Sequence, residues 1–117
     1  MKSLTKVEEE IMHLIWKREH CTVSELLDDL GEPRPPHSSI SSIVRILEKK
    51  GFVNHKSYGK TYEYFPIITM NQYRAAQLKL MVHNYFDGSV NNLVSHLVHE
   101  KSVNIKELQD IVNQLDN

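Results

Sequence analysis

Cysteine occurs once in the 117 residues, as Cys21, so no intramolecular disulfide can form and no multi-cysteine metal site can assemble. No apolar run approaches the ~20 residues that would span a bilayer. The opening MKSLTKVEEE also lacks the apolar core of a secretory signal. The expectation is a soluble cytoplasmic protein. A glycine-rich phosphate loop is missing, and so are internal repeats and low-complexity tracts. His20 and Cys21 are adjacent, but sequence neighbours at a helix start rarely align for proton transfer. Cys21 is read instead as a small residue at the entry to the second helix, on a short extra strand. Neither enzymatic activity nor a cofactor is expected.

The net charge of −1 excludes a chain that attracts polyanions over its whole surface, but the charge is unevenly spread. Residues 1–32 carry −4, residues 33–80 carry +6 and residues 81–117 carry −3. A basic middle between acidic ends is the footprint of a protein in which only the middle faces phosphate.

Start and stop signals divide the chain into short elements. Thr5 with Glu8 forms a capping box, and Val7, Ile11, Leu14 and Ile15 recur at helical spacing, with Trp16 near the edge of the stripe. A second box, Thr22 with Glu25, opens a short helix over 23–30 with Val23, Leu26, Leu27 and Leu30 on one face; Gly31 suits its end. Pro33, Pro35 and Pro36 cannot continue a helix. From His37 to Lys50 the helical pattern resumes, with Ile40, Ile43, Val44 and Leu47 as a narrow apolar stripe. Two strand-like runs follow, 52–56 and 61–65, joined by Ser57-Tyr58-Gly59-Lys60 and stopped by Pro66. Thr69 with Gln72 opens a helix over about 70–86. Asp87-Gly88-Ser89 breaks it, and two short helices follow, the last capped by Asn104 and Glu107.

Helix, short helix, tight connection, helix and hairpin is the order of a winged helix-turn-helix. A recognition helix buries one face in its own domain and offers the other to the major groove, where short or cationic side chains let the backbone approach the bases. Ser38, Ser39, Ser41, Ser42, Arg45 and Lys49 fit that outward face. Serine is a mediocre helix former, so this run is not there for helix stability. Arg45 could take guanine O6 and N7 together. Lys56, Tyr58, Lys60 and Thr61 on the hairpin, with Arg34 before the helix, are candidates for phosphate contacts. The alternatives are a solvated serine face and a winged helix that binds a protein partner without direct DNA binding; the basic middle favours DNA.

The aliphatic positions after the hairpin are too many for short helices to satisfy alone. Packing across a two-fold axis answers this, and helix-turn-helix dimers match palindromic half-sites. The expected pairing set is Tyr73, Leu80, Val90, Leu93, Val94, Leu97, Leu108, Ile111, Val112 and Leu115. His96 and His99, one helical turn apart beside Glu100, could contribute to a Zn²⁺ site only if further ligands converged. They are read as solvated, and no metal is expected. The architecture is mainly α (α+β): a winged-helix DNA-binding domain over 1–68 and a three-helix dimerisation segment over 69–117.

The runs Thr22-Val23-Ser24-Glu25-Leu26-Leu27, Ile43-Val44-Arg45-Ile46-Leu47-Glu48-Lys49-Lys50-Gly51-Phe52-Val53, and Gly59-Lys60 with Tyr64-Phe65-Pro66 closely resemble the penicillinase-repressor (BlaI/MecI/CopY) family, and the resemblance covers essentially the whole chain. It implies a homodimeric transcriptional repressor on palindromic operators. In the antibiotic-resistance members, cleavage in the dimerisation domain releases the repressor, under a membrane-bound metallopeptidase sensor. The matching positions carry over Ser38, Ser39, Ser41, Ser42, Arg45 and the wing around Lys60. Two departures matter. The paired Cys-x-Cys motifs of the copper-responsive branch are missing, which removes metal-thiolate sensing. The family's cleaved Asn-Phe bond aligns with His96-Leu97, which leaves the inducing signal open.

Overall fold

The structure, a computed structural model, describes residues 1–100 and 104–115. The chain divides into two compact units, Met1–Arg74 and Ala75–Asn117.

The first unit opens with α1 (Lys6–Arg18) and α2 (Val23–Leu30), each started by the expected capping box. The Glu8 N–H donates to Thr5 Oγ1 at 3.2 Å, and Glu8 Oε1 accepts from the Thr5 N–H at 2.9 Å. Thr22 and Glu25 repeat the exchange at the same two distances. Arg18 then binds the two helices together, with its guanidinium forked onto Asp29 at 2.6 and 2.8 Å and onto Glu25 at 3.0 Å. That guanidinium holds the Asp29 carboxyl below its ordinary range.

Helix α1 buries Glu8, Ile11, Met12, Ile15 and Trp16, an i, i+3, i+4 row that is rotated from the expected one. Val7 lies outside it and is exposed: by the helical period the buried row through Ile11 and Ile15 includes Met12 and Trp16 and not Val7. Trp16 is not at an edge: its indole N–H donates to the Ile68 carbonyl at 2.8 Å. Ile40, Val44 and Leu47 of α3 (His37–Lys49) enter the same core, with Ile43 packed against its margin.

Strands β1 (Val53–Tyr58) and β2 (Thr61–Pro66) pair antiparallel from Val53 opposite Pro66 to Tyr58 opposite Thr61. The hairpin runs further than expected and turns on Gly59-Lys60 alone, where Gly59 takes a φ of 63° that suits glycine. Cys21 forms the short extra strand: its N–H donates to the Tyr64 carbonyl at 2.9 Å and its carbonyl accepts from the Tyr64 N–H at 2.7 Å. Its thiol is wholly enclosed, and burial, then the charge of Glu25, pushes its pKa up to about 12.

The unit runs on to Arg74, through the first turn of α4 (Met70–Tyr85), which is capped by Thr69 and Gln72. Tyr73 lies in this core beside Trp16 and Phe52, and its hydroxyl donates to Glu9 at 2.6 Å. Tyr73 belongs to the expected pairing set, but its ring is engaged inside its own chain.

One charge pair sits at the core's margin. Glu8 is 7% exposed, and Lys50 Nζ reaches its carboxylate at 2.6 Å and the Ser3 carbonyl at 3.0 Å. The Lys50 bond, followed by the Thr5 N–H, holds the Glu8 carboxyl below its ordinary value of 4.5. A depressed carboxylate contributes stability above its unfolded pKa and loses it as pH falls through the folded one. Lys50→Met should therefore destabilise the unit by about 2 kcal/mol at neutral pH, less than a fully buried pair because Lys50 keeps some solvent. The deficit should shrink as pH drops below 4.5 and Glu8 protonates in both proteins. Urea titrations at several pH values check this; a deficit independent of pH would assign the loss to packing.

In the second unit, α4 ends where Asp87 and Gly88 take positive φ. Ser89 caps α5 (Val90–His99) by accepting from the Asn92 N–H at 3.1 Å, and Asn104 caps α6 (Ile105–Leu115) by accepting from the Glu107 N–H at 2.7 Å. Val82 is buried, and with Leu78, Lys79, His83, Gly88, Val90 and Leu93 it lines an apolar hollow of about 250 Å³. Leu78, Leu80, Met81, Tyr85 and Val90 are exposed, while Leu93, Val94 and Leu97 are half-buried. Leu108, Ile111, Val112 and Leu115 have side chains outside the described residues. No described helix is long and apolar enough to cross a membrane.

Candidate nucleic-acid interface

Helix α3 follows Pro36, whose extended backbone delivers the chain into the helix without a side-chain cap. With Ile40, Val44 and Leu47 turned inward, the helical period puts Ser38, Ser39, Ser42, Arg45 and Lys49 on the exposed side. Ser41 is half-buried, with its Oγ 3.3 Å from His37 Nδ1. The Arg45 Nε–H donates to the Ser41 carbonyl at 3.3 Å, and the side chain is otherwise exposed. Ile46, also on this side, is 41% exposed.

Strand alternation sorts the hairpin into two rows. Val53, His55 and Ser57 share one with Pro66, Tyr64 and Tyr62; Asn54, Lys56 and Tyr58 share the other with Phe65, Glu63 and Thr61. In the first row His55 Nδ1 makes a short contact with Glu48 of α3, and its ring stacks on Tyr62 at 4.4 Å. Tyr64 is 5% exposed, and burial, then the Glu48 charge, raises its phenol pKa.

A groove of about 240 Å³ opens between the start of α2, the start of α3 and β2, lined by Thr22, Ser24, His37, Ser41, Lys60, Thr61 and Tyr62, with Val23 and Tyr64 behind. It joins Ser41, Lys60 and Thr61 of the expected set. It also brings in Ser24, His37 and Tyr62, which the sequence reading did not single out; the alternation of Tyr62 with Tyr64 was the signal for the last. Tyr58 is exposed near the hairpin tip. Lys56 Nζ lies 5.9 Å from the Phe65 ring centroid, drawn along the outer row. Arg34 is paired with Asp28 and does not line the groove. His96 lies against Phe86, and no metal-holding group of three or more His, Cys, Asp or Glu is found among the described residues.

The penicillinase repressor family matches residues 4–117. The chain belongs to that family. The methicillin resistance regulatory protein MecI of Mammaliicoccus sciuri is 21% identical over 114 residues, covering 97% of this chain and 93% of that protein. The penicillinase repressor of Bacillus licheniformis is 22% identical over 115 residues, covering 97% and 89%. Among solved structures, the DNA-binding domain of the repressor BlaI superposes with a TM-score of 0.53 at 28% identity, covering 62% of this chain and 94% of that one. The winged helix is therefore the fold of this family member, and the family is one of repressors rather than enzymes.

Proposed function

We propose that the chain is a homodimeric repressor that lies on a palindromic operator in the cytoplasm, with α3 in the major groove and the hairpin along the flanking backbone. The observation that carries this reading is the outward side of α3, where serines and Arg45 stand over a buried aliphatic stripe. Its one acidic residue, Glu48, is engaged by His55. Short hydroxyls permit close approach and Arg45 supplies a planar donor for guanine. Ser38, Ser39, Ser42 and Lys49 share that surface, and Lys60, Thr61 and Tyr58 serve the backbone. Lys56 and Arg34 are peripheral contacts, since each has a partner inside the chain.

The second unit is proposed to pair two copies. Leu80 and Val90 are exposed and Leu93, Val94 and Leu97 half-buried, more apolar surface than a short helical segment leaves in water without a partner. Release by proteolysis under a membrane-bound metallopeptidase sensor follows from the family resemblance. His96-Leu97 lies inside α5, so cleavage there requires that helix to open locally.

The test is equilibrium binding of the full chain to duplexes it selects from random-sequence DNA. If the dimer neutralises about six phosphates or more, affinity should fall about a thousandfold between 50 and 200 mM salt through counterion release. Arg45→Ala should lose about 1–3 kcal/mol on the selected duplex and relax one base position. Equal loss on unselected DNA would make Arg45 a phosphate contact, and a flat salt response would leave a protein-binding winged helix.

A further inference from the structure

Glu48, His55 and Tyr62 form a relay from the recognition helix to the groove. Glu48 stands in the last turn of α3 and holds His55 Nδ1. The His55 ring, 29% exposed at its side chain, stacks on Tyr62 with an interplanar angle of 28° and lies 5.5 Å from Tyr64. The Tyr64 backbone is tied to Cys21 and its side chain is buried, so the base of the relay is held in place. Tyr62 stands edge-on to Tyr64 at 6.5 Å and is still 50% exposed, on the groove wall beside Lys60 and Thr61 and across from His37 and Ser41. Among the described residues, nothing accepts a hydrogen bond from its hydroxyl.

We propose that Tyr62 is a DNA-contacting residue whose hydroxyl donates to a backbone phosphate, and that His55, held by Glu48, is the positioning residue that aims it. The inference rests on the operator-binding reading. A strand beside a groove-bound helix follows the sugar–phosphate backbone, where Tyr hydroxyls and Lys ammonium groups find the same oxygens. A phenol with only two side-chain torsions loses little freedom on binding, and the imidazole stack removes part of that loss beforehand.

The experiment measures binding of the full chain and its variants to a duplex selected by the wild type and to an unselected duplex. Tyr62→Phe keeps the stack and removes only the hydroxyl. It should weaken both duplexes about tenfold, as expected for one hydrogen bond to a charged acceptor. Its melting temperature and salt slope should stay those of the wild type, since a neutral donor releases no counterion. Lys60→Ala, in contrast, should lower the slope by about one. His55→Ala should lose a similar factor but add little to Tyr62→Phe, because both act through one contact. Glu48→Gln, whose carbonyl can still accept from the imidazole, should keep binding, and Glu48→Ala should behave as His55→Ala does. Wild-type binding by Tyr62→Phe on both duplexes would overturn the proposal. So would losses for Tyr62→Phe and His55→Ala that multiply in full. A wild type that selects no duplex would sink the operator reading and this one with it, an outcome distinct from a silent Tyr62→Phe on a protein that binds.

Discussion

Phe52→Ala should destabilise the winged-helix unit by about 3–5 kcal/mol, the range for truncating a buried phenylalanine. Phe52 is wholly enclosed and sits where three elements meet. Its N–H donates to the Leu47 carbonyl at 3.0 Å, tying the end of α3 to the hairpin. Its carbonyl accepts from Ile67 at 2.8 Å and Ile68 at 3.3 Å, tying the hairpin to the approach of α4. The ring meets Tyr73 edge-on at 5.8 Å. Backbone bonds survive truncation, but the ring's volume cannot be refilled, because α3 and the hairpin are held by those same bonds. Domains of this size are stable by only ~5–15 kcal/mol, so much of the unit's margin would go. Urea unfolding followed by circular dichroism reads the effect as a lower midpoint at unchanged slope. Phe52→Leu should cost clearly less, since the cavity it leaves is smaller. A loss below about 1 kcal/mol for the alanine would mean that Phe52 is not at the centre of the core.

On the proposed pairing of two copies through the second unit, Leu93→Asp should weaken self-association by about a thousandfold. An unpaired carboxylate driven into an apolar interface costs at least ~2 kcal/mol; a two-fold axis applies that cost twice, and ~4 kcal/mol is three decades in a dissociation constant. Leu93 lines the hollow beneath Val82, so its replacement also disturbs the second unit itself. Leu80→Asp separates the two effects: Leu80 is 51% exposed and is not among the residues lining the hollow, so a charge there leaves the single chain intact. Sedimentation of both variants should show monomers at concentrations where the wild type is paired. Dimers that persist with Leu80→Asp and Leu93→Asp would place the interface elsewhere, with α6 the next surface to test.

The features legible in the residues were those whose physics is local. The boxes Thr5 with Glu8, Thr22 with Glu25 and Thr69 with Gln72 each join groups three positions apart, and all three form. Ile40, Val44 and Leu47 announced the inner side of α3 because a single helix period sets it. What the pattern could not convey depends on which elements meet. Val7 and Met12 are both apolar, and tertiary packing rather than either residue's own character decides that Met12 turns inward. Tyr73 lies on a helix that reads as belonging to the C-terminal segment, yet Trp16 and Phe52 claim its ring. Arg34 carries the charge a phosphate contact needs, but Asp28, six residues back, takes it up. Glu48 and His55 are seven positions apart across a helix end and a turn, a separation that marks no motif.

Trp16 is the sole tryptophan of the chain, enclosed beside Tyr73 and His13 with its indole bonded to the Ile68 carbonyl. All indole emission thus originates inside the winged-helix unit, at a site away from the groove. Ultraviolet fluorescence can follow the unfolding of that half by its red shift as water reaches the ring. The C-terminal helices contribute no such light, so the two halves can be told apart optically without a label.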